Sequence, residues 1–199
     1  MQVTALFVEN GGSYFNVNDI DPWDEARDAR LYTGTDPVVA HPPCNLWCKM
    51  APINYKRWKK EDLRPGNDNG CFRSALDNVN RCGGVLEHPA QTYAWAAHGL
   101  VRPPTVGGGW GRSGEGWVCV VWQSAYGHRA NKATWLYYKG RRPPFDLNWS
   151  KVVGTHQIGQ FDQRGKAANK PTVGKREASS TPAAFRAVLL RLARHSRGQ

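Results

Sequence analysis

The chain has 199 residues, of which 40% are hydrophobic and 11% aromatic, enough apolar mass for one folded domain and too much for a disordered chain. Its formal net charge of +11 is one-sided: Met1 to His128 carry 12 Lys and Arg against 13 Asp and Glu, whereas Arg129 to Gln199 carry 15 against 3. A near-neutral front and a basic rear point to a polyanion as partner, with nucleic acid first.

The apolar run Val3 to Val8 reads as a buried strand, broken by Glu9-Asn10-Gly11-Gly12. Asp21 to Tyr32 predicts a helix. Asp21 is placed to cap it, Pro22 suits its first turn, and acidic residues precede the arginines. Val38 to Ala40 is a second buried strand running into His41-Pro42-Pro43-Cys44. Two consecutive prolines cannot continue a strand ladder or sit inside a helix, so Cys44 is held on a stiff turn at a strand end. Such a cysteine is either a half-buried thiol on a tight turn or a nucleophile.

Tyr55 to Leu63 reads as a short exposed helix, stopped by Arg64-Pro65-Gly66. Cys71 to Arg81 is a stronger helix, with Phe72, Ala75, Leu76 and Val79 at helical spacing, Asn69 as cap and Gly83 as terminator. Gly84 to Leu86 begins a third strand that leads into Glu87-His88-Pro89. Strand, helix, strand in this order implies parallel pairing through a right-handed crossover. Sites in such sheets lie beyond the carboxyl ends of the strands, where Cys44 and Glu87 both fall.

Residues 99–116 form a Gly-rich loop; Trp117 to Gln123 and Ala133 to Tyr138 read as further strands. Arg141 to Arg176 is long, basic and weakly periodic, with a short strand within residues 151–161. A last helix spans Pro182 to Arg194, capped by Thr181, with Phe185, Val188, Leu189 and Leu192 on its apolar face. The whole reads as a single domain, 1–199, with a front half of 1–98 and a basic, nucleic-acid-facing half of 117–199.

No apolar run approaches a membrane span and no basic-then-apolar leader is visible, so neither a membrane nor secretion is expected. Five cysteines, an odd number, read as reduced thiols in a cytoplasm. Their spacings match no paired zinc pattern, so no metal is expected.

Read in order, four segments resemble the motifs of the DNA cytosine carbon-5 methyltransferases. Ala5 to Phe15 (ALFVENGGSYF) is similar to that family's opening strand and glycine loop. Pro42 to Cys44 matches its nucleophile motif, and Leu86 to Pro89 (LEHP) stands where the family has Glu-Asn-Val. Tyr126 to Tyr138 looks like its later Gly-to-Arg segment before a strand. The likeness is to small bacteriophage-type proteins of that group, which would place this chain in a bacterial host's cytoplasm.

The resemblance implies a reduced Rossmann-like, methyltransferase-type α/β fold with parallel core strands and a basic C-terminal extension. It implies S-adenosylmethionine as donor, near Gly11, Gly12, Asp21 and Pro42. Cys44 would add to carbon 6 of a flipped cytosine and Glu87 would act as the acid at nitrogen 3, with His41 or Arg129 supplying charge to the thiol. Lys132, Arg141, Arg142, Lys166, Lys170, Lys175 and Arg176 would hold DNA phosphates.

Three departures stand beside the matches. Glu9 occupies the place of a family glycine, and Lys132 and Thr134 stand where the family has two arginines. Gly12 and Cys44 are only 32 positions apart, room for one helix where the family fits two strands. With the usual ribose-binding strand gone, Asp19, Asp21 and Asp24 are the nearest carboxylates to serve the donor. The alternatives are a DNA-binding pseudoenzyme, a pyrimidine-modifying enzyme with a different donor, and an enzyme acting on a free nucleotide.

Overall fold

The computed structural model describes residues 1–104, 108–159 and 169–198. Seven strands form one mixed sheet: β1 (Val3–Leu6), β2 (Ile20–Trp23), β3 (Val38–Ala40), β4 (Gly84–Pro89), β5 (Gly111–Ser113), β6 (Gly116–Trp122) and β7 (Ala133–Lys139). Their order is β2-β1-β3-β4-β7-β6-β5. The first four are mutually parallel, β7 runs antiparallel to β4, and β6 and β5 continue antiparallel pairing outward. This is an α/β protein with a mostly parallel core, and strands of the front and rear halves share one sheet.

Among the described residues five helices accompany the sheet: α1 (Ala51–Trp58), α2 (Cys71–Cys82), α3 (Ala94–Ala97), α4 (Lys175–Ser179) and α5 (Ala183–His195). The two longest cover opposite faces. Phe72, Ala75, Leu76 and Val79 of α2 pack with Leu6, Ala40, Leu86 and Trp95. Phe185, Leu189 and Leu192 of α5 pack with Val3, Ala5, Val39, Val85 and Leu136. Both faces of β1 and β3 are therefore covered, which is why these strands are continuous apolar runs rather than alternating ones.

Gly84, where β4 leaves α2, has φ +128°, and a side chain there would collide with the Val38 carbonyl at 1.9 Å. The backbones of β3 and β4 can approach at this point only with glycine.

The helix expected over Asp21 to Tyr32 is absent. Ile20 to Trp23 pair with β1 instead, and only Ala29 to Leu31 form a 3-10 turn. On this outermost strand Pro22 is tolerated, because an edge strand can spare an N–H. The acidic residues that mimic a helix start close local turns: Asp24 accepts from the Arg27 N–H and Asp28 from the Arg30 N–H. A parallel strand thus does fit between the glycine loop and Cys44.

Other boundaries shift for local reasons. The helix expected at Tyr55 to Leu63 starts earlier, at Ala51, because Pro52 suits its first turn; Glu61–Leu63 is a separate 3-10 turn. Asp68, not Asn69, caps α2 by accepting from the N–H groups of Gly70 and Phe72. α5 begins at Ala183 with no side-chain cap. In place of a strand near residue 156 there are single bridges, Ala130 to His156 and Gln157 to Thr172.

The chain passes from β1 outward to β2, then returns to place β3 on the other side of β1. Strand order reverses there, so a crevice is expected beyond the carboxyl ends of β1 and β3.

Candidate active site

His41 follows β3, Glu87 lies in β4, Gln123 follows β6 and Tyr14 belongs to the loop after β1. All meet at the carboxyl end of the parallel strands. His41 Nδ1 lies 3.0 Å from Glu87 Oε2, and His41 Nε2 lies 2.8 Å from the Tyr14 hydroxyl. Gln123 Nε2 donates to Glu87 Oε1 at 3.1 Å and to Thr134 Oγ1 at 2.9 Å. Five segments separated by up to 120 residues thus form one hydrogen-bonded chain, Tyr14–His41–Glu87–Gln123–Thr134.

Burial sets the protonation of this chain. Burial alone would push the Glu87 carboxyl up, but the hydrogen bond and positive field of His41, with Lys132 behind, outweigh it and hold Glu87 at about 2. Burial and the Glu87 charge keep the Tyr14 phenol protonated well above its usual range. His41 Nδ1 therefore carries the proton that faces Glu87, whichever state Nε2 adopts toward Tyr14. Each Glu87 oxygen accepts one protein hydrogen bond, which leaves lone pairs for a ligand.

Cys44 sits on the turn that Pro42 and Pro43 impose, with Pro42 buried and Cys44 half-buried. Burial raises its thiol pKa, the Glu87 charge raises it further, and Lys132 opposes them. The two strand-end groups thus lie within electrostatic reach, in a resting state of thiol plus carboxylate. Two residues expected to supply charge to the thiol are engaged elsewhere. Both ring nitrogens of His41 are bonded as above, and the exposed Arg129 pairs with Glu177, its Nε 2.7 Å from Oε1. The cation that acts on Cys44 is Lys132, whose position just before β7 puts it at this end of the sheet. Its Nζ also donates to the Ser180 carbonyl at 3.0 Å.

The loop expected to hold the donor is a tight turn. Gly12 N–H donates to the Glu9 carbonyl at 2.8 Å, and a side chain on Gly12 would meet that oxygen. Gly11, at φ +63°, faces open space. Asp21 is occupied: Trp23 Nε1 donates to it at 2.7 Å and Arg27 at 2.5 Å. Asp24, directly after β2, accepts the Arg27 N–H through Oδ1 alone, and is the better placed carboxylate.

The basic residues expected on DNA scatter. Lys175 and Arg176 are exposed on α4, and Arg176 lies 3.6 Å from the Glu9 carboxylate. Lys170 is tied to the Gly154 carbonyl. Arg141 and Arg142 follow β7 and lie at the amino end of β4, the opposite end of the sheet from Glu87. Lys166 lies outside the described residues. Sequence reasoning overlooked Tyr14 and Gln123, which no local spacing links to Glu87. It also left α1 without a role. This helix begins three residues after Cys48 and exposes Ile53 and Trp58, flanked by Lys49, Lys56, Arg57, Lys59 and Lys60. The charge run from Lys49 to Lys60, broken by no acidic residue, is the signal that could have found it.

Two cavities among the described residues, of about 580 and 380 Å³, are lined by residues other than Cys44, Glu87 and Gly11. Among the described residues no helix is long and apolar enough to cross a membrane. No family model matches the chain, and no curated protein or solved structure is similar to it.

Proposed function

We propose that the chain performs covalent chemistry on a pyrimidine of DNA, with cytosine carbon-5 methylation as the specific reaction. One observation carries the reading: a buried, ionised carboxylate with lone pairs to spare and a thiol within its field stand at the ends of adjacent parallel strands. That end of the sheet is where such folds bind ligands. The basic, aromatic helix α1 beside Cys44 suits a nucleic acid, since phosphates pair with its cations and bases stack on Trp58.

The resting charges balance the first step. As Cys44 Sγ forms a bond to carbon 6, its proton passes to the Glu87 carboxylate, and protonated Glu87 donates to nitrogen 3 of the ring. Lys132 stabilises the thiolate as it forms, and Gln123 and His41 hold the carboxylate in place. Carbon 5 then carries the electron density that adds an electrophile. Loss of the carbon-5 proton to water then expels the thiolate, and the nitrogen-3 proton returns through Glu87 to restore the thiol.

S-adenosylmethionine, when bound, would supply an electrophilic methyl group. Gly11, exposed after β1, and Asp24, buried directly after β2, are the residues that would hold it. A DNA-binding protein that holds a pyrimidine without reacting is the second reading, favoured by a Cys44 thiol that the site keeps protonated.

Incubation of single-stranded and duplex DNA with protein and S-adenosylmethionine, then digestion to nucleosides and mass spectrometry, tests the proposal. The expected result is a methylated cytosine that Cys44→Ser abolishes while DNA affinity persists. Retained DNA binding, with no methylated base and no heat on titrating S-adenosylmethionine, would replace it with the second reading.

A further inference from the structure

The amino end of the sheet gathers cations that the candidate site does not use. Arg81 lies in the last turn of α2, and Lys139 ends β7 with Arg141 and Arg142 just after it. Arg191, Arg194 and Arg197 lie in and just beyond the last turns of α5. Several are anchored by neutral oxygens. Arg81 donates to the Gly34 carbonyl at 2.6 Å and to Asn78 Oδ1 at 2.5 Å, Arg197 to the Thr35 carbonyl at 3.0 Å, and Arg194 to the Met1 carbonyl at 3.3 Å. Lys139 pairs with the exposed Glu115 at 2.5 Å, and Asp36 lies near Cys82. Two cavities open here: one of about 380 Å³ lined by Arg81, Lys139, Arg141 and Arg197, and one of about 580 Å³ lined by Phe145, Arg191, Arg194 and His195.

The plain explanation is that these cations neutralise the carbonyl ends of α2 and α5, which both terminate here. Two helix ends amount to about one negative charge in total. Seven cations against Glu115, Asp36, Asp19 just ahead of β2, Asp146 beside Phe145 and that one unit leave about two positive charges uncompensated on one face. Helix dipoles therefore do not account for the surplus, whereas a row of phosphates would.

We propose that this face is a second phosphate-binding site, occupied by the backbone of a nucleic-acid segment distinct from the one at Cys44. The two sites stand at opposite ends of the sheet. Gly84 pairs with Lys139 and Pro89 with Thr134, so the two ends of β4 are five residue steps apart, about 17 Å at 3.3 Å per residue. The protein would bridge two DNA segments or two turns of one bent molecule.

The test uses the full chain, a short fluorescein-labelled duplex and inorganic tripolyphosphate as probes, and the exposed double variant Arg141→Glu/Arg142→Glu, with Lys56→Glu/Lys60→Glu as control for the other end. Circular dichroism checks that both fold. Anisotropy titrations should give two duplexes per wild-type chain and one per Arg141→Glu/Arg142→Glu chain. In salt low enough to keep residual binding at this face measurable, the slope of log affinity against log salt for that duplex should be shallower by about 1.8 for two lost contacts. Lys56→Glu/Lys60→Glu should retain the amino-end duplex, so failure of the α1 interface is read separately. Unchanged stoichiometry and slope in Arg141→Glu/Arg142→Glu would overturn the site. Loss of tripolyphosphate binding without loss of a duplex would overturn the nucleic-acid assignment.

Discussion

Replacing Glu87 by Gln isolates the value of the buried charge. A carboxyl held at about 2 rather than its ordinary 4.5 makes its ionised form worth about 3 kcal/mol of folding free energy at neutral pH. The folded pKa is depressed, so this contribution is full above about 4.5 and is lost as pH falls towards 2. Gln mimics the protonated form, so the variant should be about 3 kcal/mol less stable than wild type at pH 7. The gap should narrow to about 1.4 kcal/mol at pH 3, where half or more of the wild-type contribution has gone. Urea denaturation followed by Trp fluorescence at a series of pH values measures both. His88 also loses stability in acid and its pKa is raised by the Glu87 charge, so the comparison is made in a His88→Phe background, where the difference reports Glu87. Parallel stability curves for the two proteins from pH 7 to pH 3 would refute the reasoning, because Glu87 would then not be held ionised by its partners.

Cys44 alkylation by iodoacetamide, followed by mass spectrometry in a Cys48→Ser/Cys71→Ser background, should be slow at neutral pH. It should be several-fold faster in Glu87→Gln, which removes the repelling charge, and slower in Lys132→Gln; the reverse order would mean that the thiol answers to other groups. His88 is fully buried between Phe72 and Trp95, neither ring nitrogen makes a hydrogen bond of normal geometry among the described residues, and burial lowers its pKa to about 4. Its stability contribution is present above about 6.5 and lost towards 4, so His88→Phe should be neutral or stabilising at pH 7 and should remove about 3 kcal/mol of acid sensitivity in that window, as urea titrations would show. Gly84→Ala must push β3 from β4 to clear the 1.9 Å approach to Val38, and thermal unfolding should report a loss of at least about 3 kcal/mol; a loss under about 1 would mean the strands separate freely here.

The sequence by itself determined the elements whose signal is local. The apolar runs at Val3 and Val38, the helical spacing of Phe72, Ala75, Leu76 and Val79, and that of Phe185, Leu189 and Leu192 each specify a buried surface through neighbours within a few residues. The prolines before Cys44 and the strand ahead of Glu87 placed both at strand ends for the same reason. Only the tertiary structure decided what depends on strand order and direction. Ile20 to Trp23 became a strand because β1 offered a free edge, which outweighed a helix-like charge pattern. Tyr14, His41, Glu87 and Gln123 meet because β1, β3, β4 and β6 point the same way, a fact carried by pairings between segments far apart in the chain. The antiparallel entry of β7 split the basic rear, leaving Lys132 beside Glu87 and carrying Arg141 and Arg142 to the far end. Charge composition records how many cations a segment holds; the direction of the strand they follow settles which site they serve.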